Sequence, residues 1–132
     1  MSEDKLNTIY YAIKQGLPFN LELLDTVADW HRIYILLALA VSEIIFPSKC
    51  LPFSGLMKFL GFSGSAGRSK LSYHLRKLRK ANLITRKTTE IPENPSSYRI
   101  YKLTDKGKKV LQVLGINQEI IEKLATLIKE NK

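Results

Sequence analysis

Nine consecutive apolar residues, Ile33 to Val41, constrain this chain more than any other feature. The run falls well short of the ~20 residues that span a bilayer, and Arg32 and Glu43 bracket it closely. Being apolar on every side of a helix, it belongs at the centre of a core. The surrounding pattern predicts a helix over 25–46, stopped by Pro47, with Val27, Trp30, Ile33, Tyr34, Leu37 and Val41 on its inner face. A chain of 132 residues suits one domain, 1–132, able to bury roughly two-thirds of its unfolded surface. Its one cysteine, Cys50, rules out an internal disulfide framework and a multi-cysteine zinc site. The polar start, Met1 to Lys5, carries no signal-peptide pattern. The expectation is a cytoplasmic protein with no membrane partner.

Punctuation divides the rest. In residues 3–15, Leu6, Ile9, Tyr10 and Ile13 form one helical stripe, and the N-terminal helix with its linker occupies 3–24. A short extended stretch around Cys50 to Pro52 precedes a helix over 53–60, with Phe53, Leu56, Phe59 and Leu60 inward and Gly61 as its stop. A loop of small residues leads into a helix over 66–81, and Asn82 suits the left-handed position that follows a helix end. Residues 83–90 and 97–103 are β-prone, and Ile91 to Ser96 reads as the turn of a hairpin. Thr104 is the N-cap of a helix over 105–114. A last helix over 118–131, within the terminal segment 117–131 and with Asn117 able to cap it, carries Ile120, Ile121, Leu124, Leu127 and Ile128 on its apolar stripe. The predicted fold class is mainly α with a small β-hairpin.

Charge is not spread evenly. Between residues 61 and 109, thirteen lysines and arginines face three carboxylates, a surplus of ten, whereas the whole chain is +9. The remaining 83 residues are therefore close to neutral. A footprint for phosphates requires such concentration in one module, and an evenly solvated surface would not produce it. The 66–81 helix shows how the charge is aimed. On a helical wheel Leu71, Leu75 and Leu78 share one arc, while Ser69, Tyr73, Arg76, Lys77 and Lys80 lie across from it. Short polar side chains, an aromatic ring and flanking cations suit a helix that enters a major groove. Small residues from Gly64 to Gly67 permit close backbone approach, and the helix N-terminus attracts phosphate.

Three segments in order carry a family resemblance: Phe53 to Gly61, Leu71 to Ile84, and Tyr101 to Gly107. Together they resemble the DNA-binding domain of winged-helix transcription regulators of the ArsR and MarR type, in a form common in archaea and their viruses. The resemblance covers 25–112 and departs at Asn82, where the family usually has glycine. It implies a winged helix-turn-helix with extra terminal helices, acting as a homodimeric, sequence-specific binder of double-stranded DNA.

The DNA-contacting set expected on this reading is Ser65, Arg68, Ser69, Lys70, Ser72, Tyr73, Arg76, Lys77 and Lys80 from the recognition helix. The wing adds Arg86, Lys87, Ser96, Ser97 and Arg99. Packing of Tyr73 against the wing is an equal alternative to base contact, and charged strand edges can serve only to prevent edge pairing. His74 lies beside the core arc, where a half-buried structural histidine is the expected reading. Dimerisation is assigned to Leu6, Ile9, Tyr10 and Ile13 at one end and Ile120, Ile121, Leu124, Leu127 and Ile128 at the other, the C-terminal helix being the better candidate.

Enzyme readings lose. A phosphate loop over Gly61 to Ser69 would need glycine and lysine where Phe62 and Arg68 stand. His31 and His74 are expected on different helices with no carboxylate near them, so acid–base or nucleophilic catalysis has no cast. Metal sensing would call for paired cysteines or a His/Asp cluster, which a lone Cys50 does not supply, so no metal and no cofactor are expected. Two other classes fit the same charges: a non-specific architectural nucleic-acid binder, and a protein-interaction module with a basic face.

Overall fold

The computed structural model describes residues 26–91 and 94–130, with side chains described at 26–88 and 99–130. The expected helix over 3–15 and its linker lie outside the described residues.

The apolar run forms the middle of α1, Trp30–Ile45. The helix does not continue unbroken from residue 25 as the periodicity predicts. Thr26 and Val27 are helical, then a turn intervenes and Asp29 takes over as N-cap, its carboxylate accepting from His31 N at 2.8 Å. A short carboxylate that bonds the next turn's amide favours a fresh start over continuation. The inner face also differs. Ile35, Leu36, Ala38, Leu39 and Val41 are buried, whereas Trp30 is 80% exposed and Tyr34 is 49% exposed. An all-round apolar run carries no stripe, so the neighbours decide which side turns inward. Here α5 packs along α1 together with α2, α3 and α4.

The two-residue strand β1, Leu51–Pro52, leads directly into α2, Phe53–Leu60. Gly61 ends α2 at a φ of 72°, a left-handed conformation that glycine adopts without steric cost. Then α3 spans Gly64–Lys80, starting two residues before its predicted position. Its end is as the sequence predicts: Asn82 has a φ of 63°. Asn82 N donates to Arg79 O at 2.9 Å and Leu83 N donates to Leu78 O at 3.0 Å, the paired bonds of a Schellman ending.

Strands β2, Ile84–Ile91, and β3, Asn94–Leu103, form an antiparallel hairpin with a register shift between Glu90 and Ile91. The ladder reaches further than the predicted 83–90 and 97–103, because strand pairing extends into Asn94 to Ser96, which the composition assigned to the turn. The sheet order is β1-β3-β2, with Leu51 opposite Tyr101. Next, α4 spans Asp105–Val113 under its Thr104 cap, whose hydroxyl accepts from Gly107 N at 3.0 Å and donates to Asn82 O at 2.7 Å. Finally α5, Gln118–Glu130, starts at Asn117, whose carboxamide oxygen accepts from Ile120 N at 3.0 Å. Helix, turn and helix followed by a hairpin docked through a third short strand is the winged-helix arrangement. Among the described residues it is mainly helical, with five helices and one small sheet.

Candidate nucleic-acid interface

Leu71, Leu75 and Leu78 are buried and fix the rotation of α3. The opposite face is thereby turned to solvent. Ser65, Arg68, Ser69, Lys70, Arg76 and Lys80 are exposed, and Tyr73 is 46% exposed. Ser72 and Lys77 are half-buried at the margins. Tyr73 is held from below and from the side. The Arg32 guanidinium lies 5.6 Å from its ring centre, Lys77 Nζ lies 5.8 Å away, and the His74 ring packs edge-on at 5.6 Å. Lys70 Nζ sits 5.2 Å over the Phe62 ring, which restrains its stem at the entry to the helix.

On the wing, strand alternation sorts the cations. Arg86 pairs across with Tyr101 and Thr88 with Arg99, so Arg86 and Arg99 share the face of buried Ile84, Tyr101 and Leu103. Lys87 pairs with Ile100 and projects from the other face. The wing cations named from the sequence therefore do not form a single patch. Ser96 and Ser97 lie on β3, and Ser97 stands opposite Glu90 in the ladder.

Arg86 instead joins the helix. With Arg76, Arg79, Lys80, Ile84 and Thr85 it lines an open cleft of about 540 Å³ between the C-terminal half of α3 and β2. Four cations converge there, and among the described residues no carboxylate lines the cleft. Arg79 was not singled out in the sequence because its wheel position borders the core arc. Its Nε is buried, and no partner for that atom is found among the described residues. Not every cation of the basic segment is available for such work. Lys106 Nζ donates to Ala81 O at 3.1 Å at the end of α3, and Lys108 pairs with Glu43 of α1 at 3.2 Å.

Beside this face the structure corrects one expectation. His31 and His74 do come together, with the carboxylate of Asp29 close to both. Their rings stack at 5.2 Å, and His31 Nδ1 lies 3.2 Å from Asp29 Oδ1. His74 is 4% exposed, more deeply buried than the half-buried residue expected. Its Nδ1 accepts from Arg32 Nε at 3.2 Å, and Arg32 Nη1 donates to Thr26 O at 3.3 Å. Desolvation is the main cause that pushes the His74 imidazole below its ordinary range; Asp29 opposes it, while Arg32, His31 and Lys70 reinforce it. Desolvation acts to raise the Asp29 carboxyl, but the amide bond from His31 and the charges of His74, Arg32 and His31 together hold it below its ordinary value.

No protein-family model matches the sequence, and no curated protein matches it. Among solved structures, the chain is similar to a MarR family transcriptional regulator from Streptomyces coelicolor in complex with DNA, at 24% identity and a TM-score of 0.49. That match covers 80% of this chain and 60% of the other, so the chain spans about three-fifths of that protein's length. It is also similar to a double mutant of ZitR from Lactococcus lactis in its apo form, at 17% identity and a TM-score of 0.47, covering 99% of this chain and 82% of the other. Neither match bears on the archaeal form of the resemblance or on its ArsR-like side.

Proposed function

We propose that the chain is a DNA-binding transcription regulator, a binding protein and not an enzyme, acting in the cytoplasm as a homodimer on double-stranded DNA. In this reading α3 enters the major groove and reads bases through Ser69, Tyr73 and Arg76. The β2–β3 wing follows the backbone or the minor groove, with Arg86 and Arg99 on the side of the helix. Residues 25–112 are the DNA-binding core of a single domain, and the terminal helices join the two copies.

The observation that carries the reading is the outward face of α3. Leucines on one side fix a face of small, aromatic and cationic side chains on the other, continued by the arginine cleft at the wing base. A purely electrostatic surface has no need of an exposed, braced tyrosine between short polar residues. Base reading does, because apolar and bidentate contacts to base edges discriminate at about 1–3 kcal/mol each.

Selection of bound sequences from a random duplex pool tests this directly. An enriched, inverted-repeat motif is the expected result, since a two-fold dimer sets two recognition helices about 34 Å apart. Affinity for the motif should fall by roughly 10³–10⁵ between 50 and 200 mM salt if 6–10 phosphates are neutralised. Tyr73→Ala and Arg76→Ala should relax sequence preference, whereas Lys87→Ala and Arg99→Ala should weaken binding to motif and scrambled DNA alike. Binding without a motif would instead make this an architectural protein, and absence of binding would favour a protein-interaction module.

A further inference from the structure

We propose that Asp29, His31 and His74 form a binding site for a divalent transition-metal ion of the zinc class, bridging the first turn of α1 and the recognition helix α3. Each residue offers one candidate donor atom, and the three atoms lie within 4.8 Å of one another. Ligands at about 2.0–2.2 Å on a tetrahedral ion sit roughly 3.3–3.5 Å apart. The edge between Asp29 Oδ1 and His31 Nδ1 is already 3.2 Å long. The other two edges have to close by no more than about 1.5 Å. Asp29 and His31 can supply that movement, with side chains 34% and 41% exposed, while His74 is fixed by burial.

The donor chemistry fits. Two imidazoles and a carboxylate are a borderline set that suits zinc and its neighbours, and three protein ligands leave one position open to solvent. The capping role of Asp29 accounts for its contact with His31. It does not account for a third donor brought in from α3, nor for the His74 Nε2 that is buried with no partner among the described residues.

Binding has a defined consequence for Arg32. At Nδ1 the ion takes the place of the Arg32 N–H. At Nε2 the ring proton moves to Nδ1, which then no longer accepts. In both cases the bond from Arg32 to His74 is released. Arg32 also packs on the Tyr73 ring, so occupancy of the site reorganises the support beneath the exposed tyrosine of α3.

The site stands independently of DNA, and the test is made on the full chain without DNA. Zn²⁺ is titrated calorimetrically, and Ni²⁺ is titrated against the fluorescence of Trp30. This tryptophan is the chain's only one; it lies between two of the ligands in sequence and is 80% exposed. The expected result is saturable uptake of one ion per chain with quenching of Trp30. His31→Ala, and Asp29→Asn, which keeps a capping oxygen, should each weaken Zn²⁺ binding at least tenfold. Circular dichroism of both variants checks that the fold is kept, and His31, being only half-buried, carries the test where substitution of buried His74 unfolds the chain. Zn²⁺ should raise the midpoint of thermal unfolding of the wild type and not of His31→Ala. Absence of saturable uptake, or affinity unchanged in both variants, overturns the proposal. Failure of DNA binding with uptake intact would bear only on the proposed function.

Discussion

Arg32 and His74 show how one side chain settles another. A buried guanidinium survives because its N–H groups reach His74 Nδ1 and the Thr26 carbonyl. His74 stays neutral because desolvation first, and Arg32 with it, disfavours the imidazolium. The unfolded chain, whose histidine titrates near 6.5, then binds a proton that the folded chain refuses. The contribution of His74 to stability is full above about pH 6.5 and is lost as the pH falls through its depressed folded value. Asp29 adds a second loss below its ordinary 3.8, since its folded value is also depressed. Urea unfolding at a series of pH values should give a plateau above 6.5 and a slope below it, at most about 1.4 kcal/mol per pH unit for one proton. In His74→Gln that slope should flatten just below pH 6.5. The sequence placed His74 beside the core, because the wheel of α3 was anchored by three leucines. It did not reveal burial of Arg32, because a cation at the end of an apolar run ordinarily marks the surface.

At the level of elements, boundaries with a local chemical cause were legible. Thr104 and Asn117 cap the helices they were expected to cap, and Asn82 supplies the left-handed residue after α3. Features set by tertiary contact were not: the inward face of α1, the break at Asp29, and the extra length of the hairpin. Gly107 belongs to the second kind. It sits in the first turn of α4, and a methyl group there would run into the Leu83 carbonyl oxygen and come within 2.6 Å of Leu103 Cδ1. Glycine is required because α4 approaches the end of the sheet so closely. Gly107→Ala should therefore destabilise by about 1–3 kcal/mol, like other overpacked sites, and lower the urea midpoint with little change in slope. In an open helical position the same substitution would stabilise.

Across the whole molecule, the C-terminal stripe divides into two sets. Ile121 and Ala125 are buried against the rest of the chain, while Ile120 is 40% exposed and Leu127 is 55% exposed. Leu124 and Ile128 are half-buried between them. In the proposed dimer the available contacts on this helix are therefore Ile120 and Leu127, spaced seven residues apart on one side. Removing the helix at Gly115 would strip the core of Ile121 and Ala125, so substitution separates assembly from folding where truncation cannot. Ile120→Lys with Leu127→Lys should yield a monomer by light scattering with unchanged circular dichroism. Ile121→Lys should unfold the chain. A dimeric mass in the double variant would move the contact elsewhere on the molecule.

The pairing of β1 with β3 carries a consequence for how the chain reaches this structure. Leu51 meets Tyr101 only after a loop of about fifty residues has closed, whereas α2, α3 and the hairpin form from near neighbours. Closure of long loops is entropically unfavourable and tends to follow local structure. Leu51→Ala should then leave the refolding rate almost unchanged and accelerate unfolding, while Leu75→Ala, within the local helical unit, should slow refolding. Stopped-flow chevrons of the two variants would show it. Two residues of strand, placed before the helix-turn-helix and paired after it, thus act as the late clasp that sets how long the assembled interface persists.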